Sequence, residues 1–317
     1  MLFLLKLDQK NKANQSNFSK FEKLRDFLNK VRLVAKKLFY VKKWSTSKII
    51  EANSNVNTSS EVVPNSRLID IDLGRFNLKI INDSHPLIIQ VKELRQKSFF
   101  KNSKTKQSDS DEYDKFCDHL VVIDKSVSDD FVVGTYRLLL KPRLLAKQRF
   151  YSESEFDISN LIASNNTTLL EAGRSCVHEH YRDGRIIRLL WRGLATYIIN
   201  NRVDLIFGCA SFPSSNYKLF IKQLSYLYHY HKTPKSLSTR PVKKLRANFN
   251  IMNKNKIDIE KEFRNLPPLI KAYIRVGAWI GPGAIVDSKF DTTDVLIVLN
   301  SKKILKKYAQ LSFEKIH

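Results

Sequence analysis

The chain has 317 residues, 43% of them hydrophobic and 11% aromatic, which is enough to bury a substantial core and excludes a wholly disordered chain. Lys and Arg number 55 against 31 Asp and Glu, a formal charge of +24 at pH 7. That surplus favours an acidic partner (nucleic acid, an anionic membrane surface or an acidic carrier protein) without choosing among them.

Residues 1–65 differ in pattern from the rest. From Phe18 to Trp44 the apolar positions Phe18, Phe21, Leu24, Phe27, Leu28, Val31, Val34, Leu38 and Val41 step at helical spacing, with lysines and arginines between them. This predicts a basic amphipathic helix. Such a helix suits an anionic membrane surface, with Lys42, Lys43 and Trp44 as interfacial anchors, or equally a helix packed on the main domain with its basic face in water. The run 51–65, rich in Asn, Ser and Thr and containing Pro64, reads as a linker. The expected organisation is a basic extension over 1–65 and one larger domain over 66–317.

In that domain Leu120–Asp124 and Phe131–Leu139 read as strands, and the turn 126–130 between them suggests a hairpin. Leu169–Val177 is a further strand, followed by a polar turn and a long helix over Ile186–Ile199. A strand over Asp204–Ala210, a helix over Tyr217–Tyr228, a Lys/Asn-rich loop across 232–260, a helix over Leu269–Val276 and a strand over Val295–Leu299 complete the series. A hairpin followed by a strand–helix–strand unit predicts a mixed α/β sheet flanked by helices. No internal repeat is visible, and no stretch approaches the roughly 18 uninterrupted apolar residues of a membrane span. The three cysteines, Cys117, Cys176 and Cys209, are too dispersed for a metal knuckle, so a reduced, cytoplasmic compartment is expected.

Two segments carry chemistry. Glu171 and Arg174 lie within the otherwise apolar strand 169–177, where buried charge is costly unless paired or used. Strand alternation sets them on opposite faces unless a bulge intervenes, for which Gly173 is a natural place. They form either a structural ion pair or a site in which Glu171 takes a proton from an attacking group. The second segment is Tyr181-Arg182-Asp183-Gly184-Arg185, directly before the long helix, where free backbone N–H groups can hold a phosphate. Arg185, Arg188 and Arg192 continue it as a basic stripe at i, i+3, i+7, otherwise simply a solvated face. His229 and His231 have no acidic or thiol partner nearby, so no metal is expected. Cys176 and Cys209 lack a positioned histidine base, Trp279 reads as core or as the wall of an acyl tunnel, and Thr292-Thr293-Asp294 reads as a turn or strand entry before the last strand rather than as a site.

These residues carry a resemblance. Val133-Gly134-Thr135-Tyr136-Arg137-Leu138, the Glu171-x-Gly173-Arg174 strand with Cys176-Val177-His178, and Tyr181-Arg182-x-Gly184 before Leu189-Leu190-Trp191-Arg192-Gly193 resemble the L-ornithine N-alpha-acyltransferases. So do Phe207-Gly208-Cys209-Ala210-Ser211-Phe212-Pro213, Leu266-Pro267-Pro268-Leu269-Ile270-Lys271, Gly277-Ala278-Trp279-Ile280-Gly281 and Thr292-Thr293-Asp294-Val295, a coverage of about residues 74–300. That family starts ornithine-lipid synthesis and belongs to the GNAT acyltransferase superfamily. More distantly the pattern is similar to the acyl-homoserine-lactone synthases, which share the Glu-x-x-Arg strand and an upstream acidic element, here Asp111-Glu112-Tyr113-Asp114.

The resemblance implies a GNAT-like fold and transfer of a (3-hydroxy)fatty acyl group from acyl carrier protein to the α-amine of L-ornithine. It implies acyl-phosphopantetheine as donor substrate and no permanently bound cofactor. The expected partners are acyl carrier protein, ornithine and the inner face of an anionic membrane, and not nucleic acid. Glu171 and Arg174 would be catalytic. Arg182, Gly184, Arg185 and Arg188 would hold the donor's phosphate, and Asp111, Asp114, Arg137 and Ser211 would meet the acyl and amine substrates. One departure stands out: Ile187 replaces a small residue of the common GNAT phosphate loop, which suits a single pantetheine phosphodiester better than the pyrophosphate of coenzyme A. Other readings are a different amino acid acceptor, an acyl-homoserine-lactone-type signal synthase, and a non-catalytic basic binding protein.

Overall fold

Short runs of alternating apolar residues open the larger domain and pair at once. The structure, a computed structural model, describes residues 69–100, 109–141, 144, 148–163 and 167–311. The amphipathic pattern at 18–44, the linker and the boundary at 65 lie outside the described residues. In chain order, β1 (Asp70–Leu73) and β2 (Phe76–Ile81) form a hairpin, and α1 (Ile88–Phe99) follows. Next come β3 (Asp118–Asp124), β4 (Val132–Leu140), β5 (Phe156–Asp157), the single turn α2 (Ser159–Ile162) and β6 (Leu169–Val177). Then follow α3 (Arg185–Asn200), β7 (Leu205–Phe212), α4 (Ile221–Tyr230), β8 (Arg240–Pro241), α5 (Ile259–Arg264) and α6 (Pro268–Arg275). The domain closes with β9 (Trp279–Ile280), β10 (Ile285–Asp287), β11 (Thr292–Asn300) and α7 (Ser301–Leu311).

The main sheet runs β1-β2-β3-β4-β6-β7-β11-β10, with β9 also on β11, while β5 and β8 pair separately. Every neighbouring pair in the main sheet is antiparallel except β6 and β7. β3 and β4 are buried along their whole length because successive side chains face opposite helix layers. Leu120 and Val122 pack with Ile186, Leu190 and Leu194 of α3; Val121 and Ile123 pack with Ile88, Val91 and Leu94 of α1. Each such leucine contributes about 1.5–3 kcal/mol of apolar burial, so the sheet centre is the rigid part of the domain.

The helix and strand expectations hold with shifted ends. The predicted helix over 217–228 begins as a 3₁₀ turn (Tyr217–Phe220) before α4, and of the turn or strand entry expected at Thr292–Asp294 it is the strand entry that forms, as the start of β11. Among the described residues no helix is long and apolar enough to cross a membrane.

One irregularity shapes everything that follows. β6 stays paired with β4 along most of its length but with β7 only over Leu169–Glu171 against Leu205–Phe207. The β4–β6 register slips between Arg137↔Gly173 and Thr135↔Cys176, and Arg174 there adopts a left-handed φ of 51°. This is the bulge that the sequence allowed for, with the left-handed residue at Arg174 rather than at Gly173. Beyond it β6 bends away and the two parallel strands part. Gly208 sits at the vertex, where a Cβ would collide with the carbonyl of Ala172; only glycine lets the backbones meet that closely.

Candidate active site

Where β6 and β7 part, a cavity of about 530 Å³ opens. It is lined by Arg137 of β4, Glu171–Ser175 of β6 and Gly208–Ser211 of β7, together with Tyr151, Ser152 and Glu155 from the turn before β5, Asp287 of β10 and Asp294 of β11. Of the residues expected to form the site, Glu171, Arg174, Arg137 and Ser211 line this cavity. Asp111, Asp114, Arg182, Gly184, Arg185 and Arg188 do not.

Glu171 is 6% exposed. The Ser152 backbone N–H (2.7 Å) and hydroxyl donate to its Oε1, and the Tyr151 N–H (2.9 Å) donates to its Oε2. Burial raises its pKa and these donors oppose the rise. The polar chain runs on: the Ser152 hydroxyl lies 3.5 Å from the Cys209 sulfur, and that thiol donates to Oε2 of Glu155 at 2.9 Å. Burial drives the Glu155 carboxyl up to about 7. Burial also drives the Cys209 thiol well above its ordinary range and those of Cys117 and Cys176 up to about 12, which disfavours the thiolate form of each.

Arg174 lies between two rings, its guanidinium carbon 4.8 Å from the Tyr151 centroid and 4.7 Å from that of Phe290. It pairs with Asp109 and Asp111, each at 3.3 Å. Arg137 donates to Asp111 (2.6 Å) and Asp114 (3.1 Å), and the fully buried Arg95 donates to Asp109 (2.7 Å) and Asp114 (2.8 Å). Three arginines thus face three aspartates. Burial works against Asp114, but Arg95 and Arg137 hold its carboxyl well below the usual range. Asp111 and Asp114, expected to receive an amine, are already engaged by guanidinium groups.

The glycine turn stands at the N-terminus of α3, with Gly184 at a φ of 92°. Asp183 accepts from the Arg185 backbone N–H and pairs with its guanidinium, Arg182 donates to the carbonyl of Val177, and Arg188 is exposed. The two outlying histidines are engaged locally: His229 with the Met252 carbonyl, His231 with the Tyr226 hydroxyl.

Sequence reasoning missed Glu155, Asp287 and Asp294. One carboxylate oxygen from each lies within 4.8 Å of the others. Asp294 carried a signal: it is an acid at the head of an apolar strand, the same anomaly that singled out Glu171. Glu155 and Asp287 sit in short polar stretches with no periodicity to mark them.

Comparison with known proteins gives a consistent result. Residues 94–192 match the acetyltransferase (GNAT) domain family, so the mixed sheet with its parted strands is the GNAT acyltransferase fold. An L-ornithine N(alpha)-acyltransferase of Agrobacterium fabrum is 41% identical over 207 residues, 64% of this chain and 71% of that protein. One of Brucella abortus is 35% identical over 248 residues, 74% of this chain and 88% of that protein. Among solved structures, the N-acyl amino acid synthase FeeM from uncultured soil microbes aligns with a TM-score of 0.41 at 8% identity, covering 72% of this chain and 93% of its own.

Proposed function

The chain belongs to the L-ornithine N(alpha)-acyltransferase family, and from that premise we propose that it transfers a (3-hydroxy)fatty acyl group from acyl carrier protein to the α-amine of L-ornithine. The observation that carries this reading is a buried carboxylate, Glu171, lining a cavity at the parting of two parallel strands. The amine arrives as an ammonium and must lose a proton before it can attack. Glu171 takes that proton, directly or through a water, and its raised pKa suits it to the exchange. The freed lone pair attacks the thioester carbonyl, the C–N bond forms, and the oxyanion meets backbone N–H groups of β7 between Cys209 and Ser211. The C–S bond then breaks and the pantetheine thiol leaves with a proton.

Arg174, with Arg137 behind it, presents positive charge to the acceptor's α-carboxylate. Arg182, Gly184, Arg185 and Arg188 at the head of α3 hold the pantetheine phosphodiester, as the resemblance implies, and the exposed basic stripe meets the acidic carrier. The amphipathic pattern at 18–44 brings the enzyme to an anionic membrane, where an amphiphilic product belongs. The test is an assay of purified protein with 3-hydroxyacyl carrier protein and L-ornithine, reading thiol release and product mass. N-acylornithine is the expected product. A higher kcat/KM for glycine or glutamine, or for acyl-coenzyme A as donor, would overturn the assignment.

A further inference from the structure

The cavity has two acidic features of different kinds. Glu171 is held by three hydrogen-bond donors. Glu155, Asp287 and Asp294 come from three separate elements and bring one oxygen each to within 4.8 Å of the others. None of the three is ion-paired among the described residues. Among the described residues the Glu155 carboxylate accepts only the Cys209 thiol, and Oδ1 of Asp287 accepts the N–H groups of Lys289 and Phe290. Asp294 is 5% exposed, and its Oδ1 has no hydrogen-bond partner. The neighbouring Ser211 and Thr292 side chains favour its charged form and so oppose the rise that burial causes. Arg174 acts on Glu155 and Asp294 through space, but its close ion pairs are with Asp109 and Asp111.

A buried carboxylate oxygen with nothing to accept from is costly unless a ligand completes it. An alkylammonium has three N–H donors. At N···O separations of about 2.8 Å its tetrahedral geometry spreads three acceptors about 4.6 Å apart, a spread that the trio, with its three oxygens within 4.8 Å of one another, can accommodate. A calcium ion would ask for roughly six to eight oxygens at about 2.4 Å, so beside the trio it would need several further ligands from water or backbone.

We infer that Glu155, Asp287 and Asp294 form the subsite for the side-chain ammonium of the amino acid acceptor, and so select a cationic side chain over a neutral one. The inference rests on the amino acid acceptor proposed above and names the part of the site that reads it. Burial drives Glu155 up to about 7 and Asp294 up to about 6, as expected of acids whose counter-ion is a ligand.

The test is binding, read apart from turnover: calorimetric titration of the full chain with L-ornithine and with L-norvaline, which lacks only the δ-amine. The wild type is expected to bind ornithine at least about tenfold more tightly. Asp287→Asn and, independently, Asp294→Asn should each abolish most of that preference and leave norvaline affinity unchanged. Equal affinities in the wild type, no binding of either amino acid at millimolar concentration, or calcium competing with ornithine for the trio would each overturn the inference. Ornithine preference without acyl transfer from acyl carrier protein would support it while refuting the proposed reaction.

Discussion

Two groups of aspartates and glutamates stand close to one cavity, and they are solved in opposite ways. Asp109, Asp111 and Asp114 are matched by Arg95, Arg137 and Arg174. Glu155, Asp287 and Asp294 have no such ion pairs among the described residues, and the carboxyls of Glu155 and Asp294 are pushed towards neutrality. The same residue type is therefore scaffold in one place and receptor in the other. What separates them is the supply of charge, not the acids themselves.

The sharpest way to break this contrast is to neutralise one acid on each side. Asp114→Asn leaves Arg95 and Arg137 buried without their shared carboxylate and should destabilise the protein by about 3–5 kcal/mol in urea unfolding. A loss below 1 kcal/mol would mean that the network does not hold the fold.

The next effect is the pH dependence of stability. Glu155 rises from 4.5 to about 7 and Asp294 from 3.8 to about 6. Their protonated forms are therefore favoured in the folded state, and their contribution to stability is present at low pH and lost as pH climbs through the raised values. Asp114 has the opposite sign: its contribution is present above 3.8 and lost only in stronger acid. The difference in Tm between wild type and the Glu155→Gln/Asp294→Asn double variant isolates these two carboxyls. It cancels buried histidines such as His119, lowered to about 4, which titrate the other way. Between pH 5 and pH 8 the wild type should lose on the order of 3 kcal/mol relative to the variant. A flat difference would mean that Glu155 and Asp294 are not desolvated.

A smaller gain is expected from Asp294→Asn alone, which should stabilise the ligand-free protein at pH 8 by about 1–2 kcal/mol, opposite in sign to Asp114→Asn. Smallest is Arg188→Glu, on exposed ground outside both groups. It should lower kcat/KM for the carrier-bound donor by about tenfold at low salt, shrinking as salt rises, with ornithine KM unmoved. A change in ornithine KM would contradict the assignment of this face to the donor.

Much of this was legible in the sequence, and the limits are physical. Hydrophobic periodicity marked α3 and β6 because their burial is continuous, and Glu171 and Arg174 stood out as charge within an apolar strand. The bulge could be foreseen from Gly173, but its left-handed residue could not, since the register slip depends on β4. α1 was missed because its buried face carries Arg95, whose partners lie 14 and 19 residues further on. The acidic run at 111–114 looked receptive for the same reason: its three arginines arrive from α1, β4 and β6. Glu155, Asp287 and Asp294 meet only through the fold of three elements, and no local spacing announces that.

The claim on which the rest depends is that Glu171 accepts the amine's proton in this cavity. Single-turnover acyl transfer by the Glu171→Gln variant, followed across pH, tests it most directly. The account predicts a fall of about 10²–10⁴-fold in the transfer rate, with loss of the rate's rise with pH and unchanged ornithine affinity. A variant that transfers the acyl group at the wild-type rate with an unaltered pH profile would contradict it.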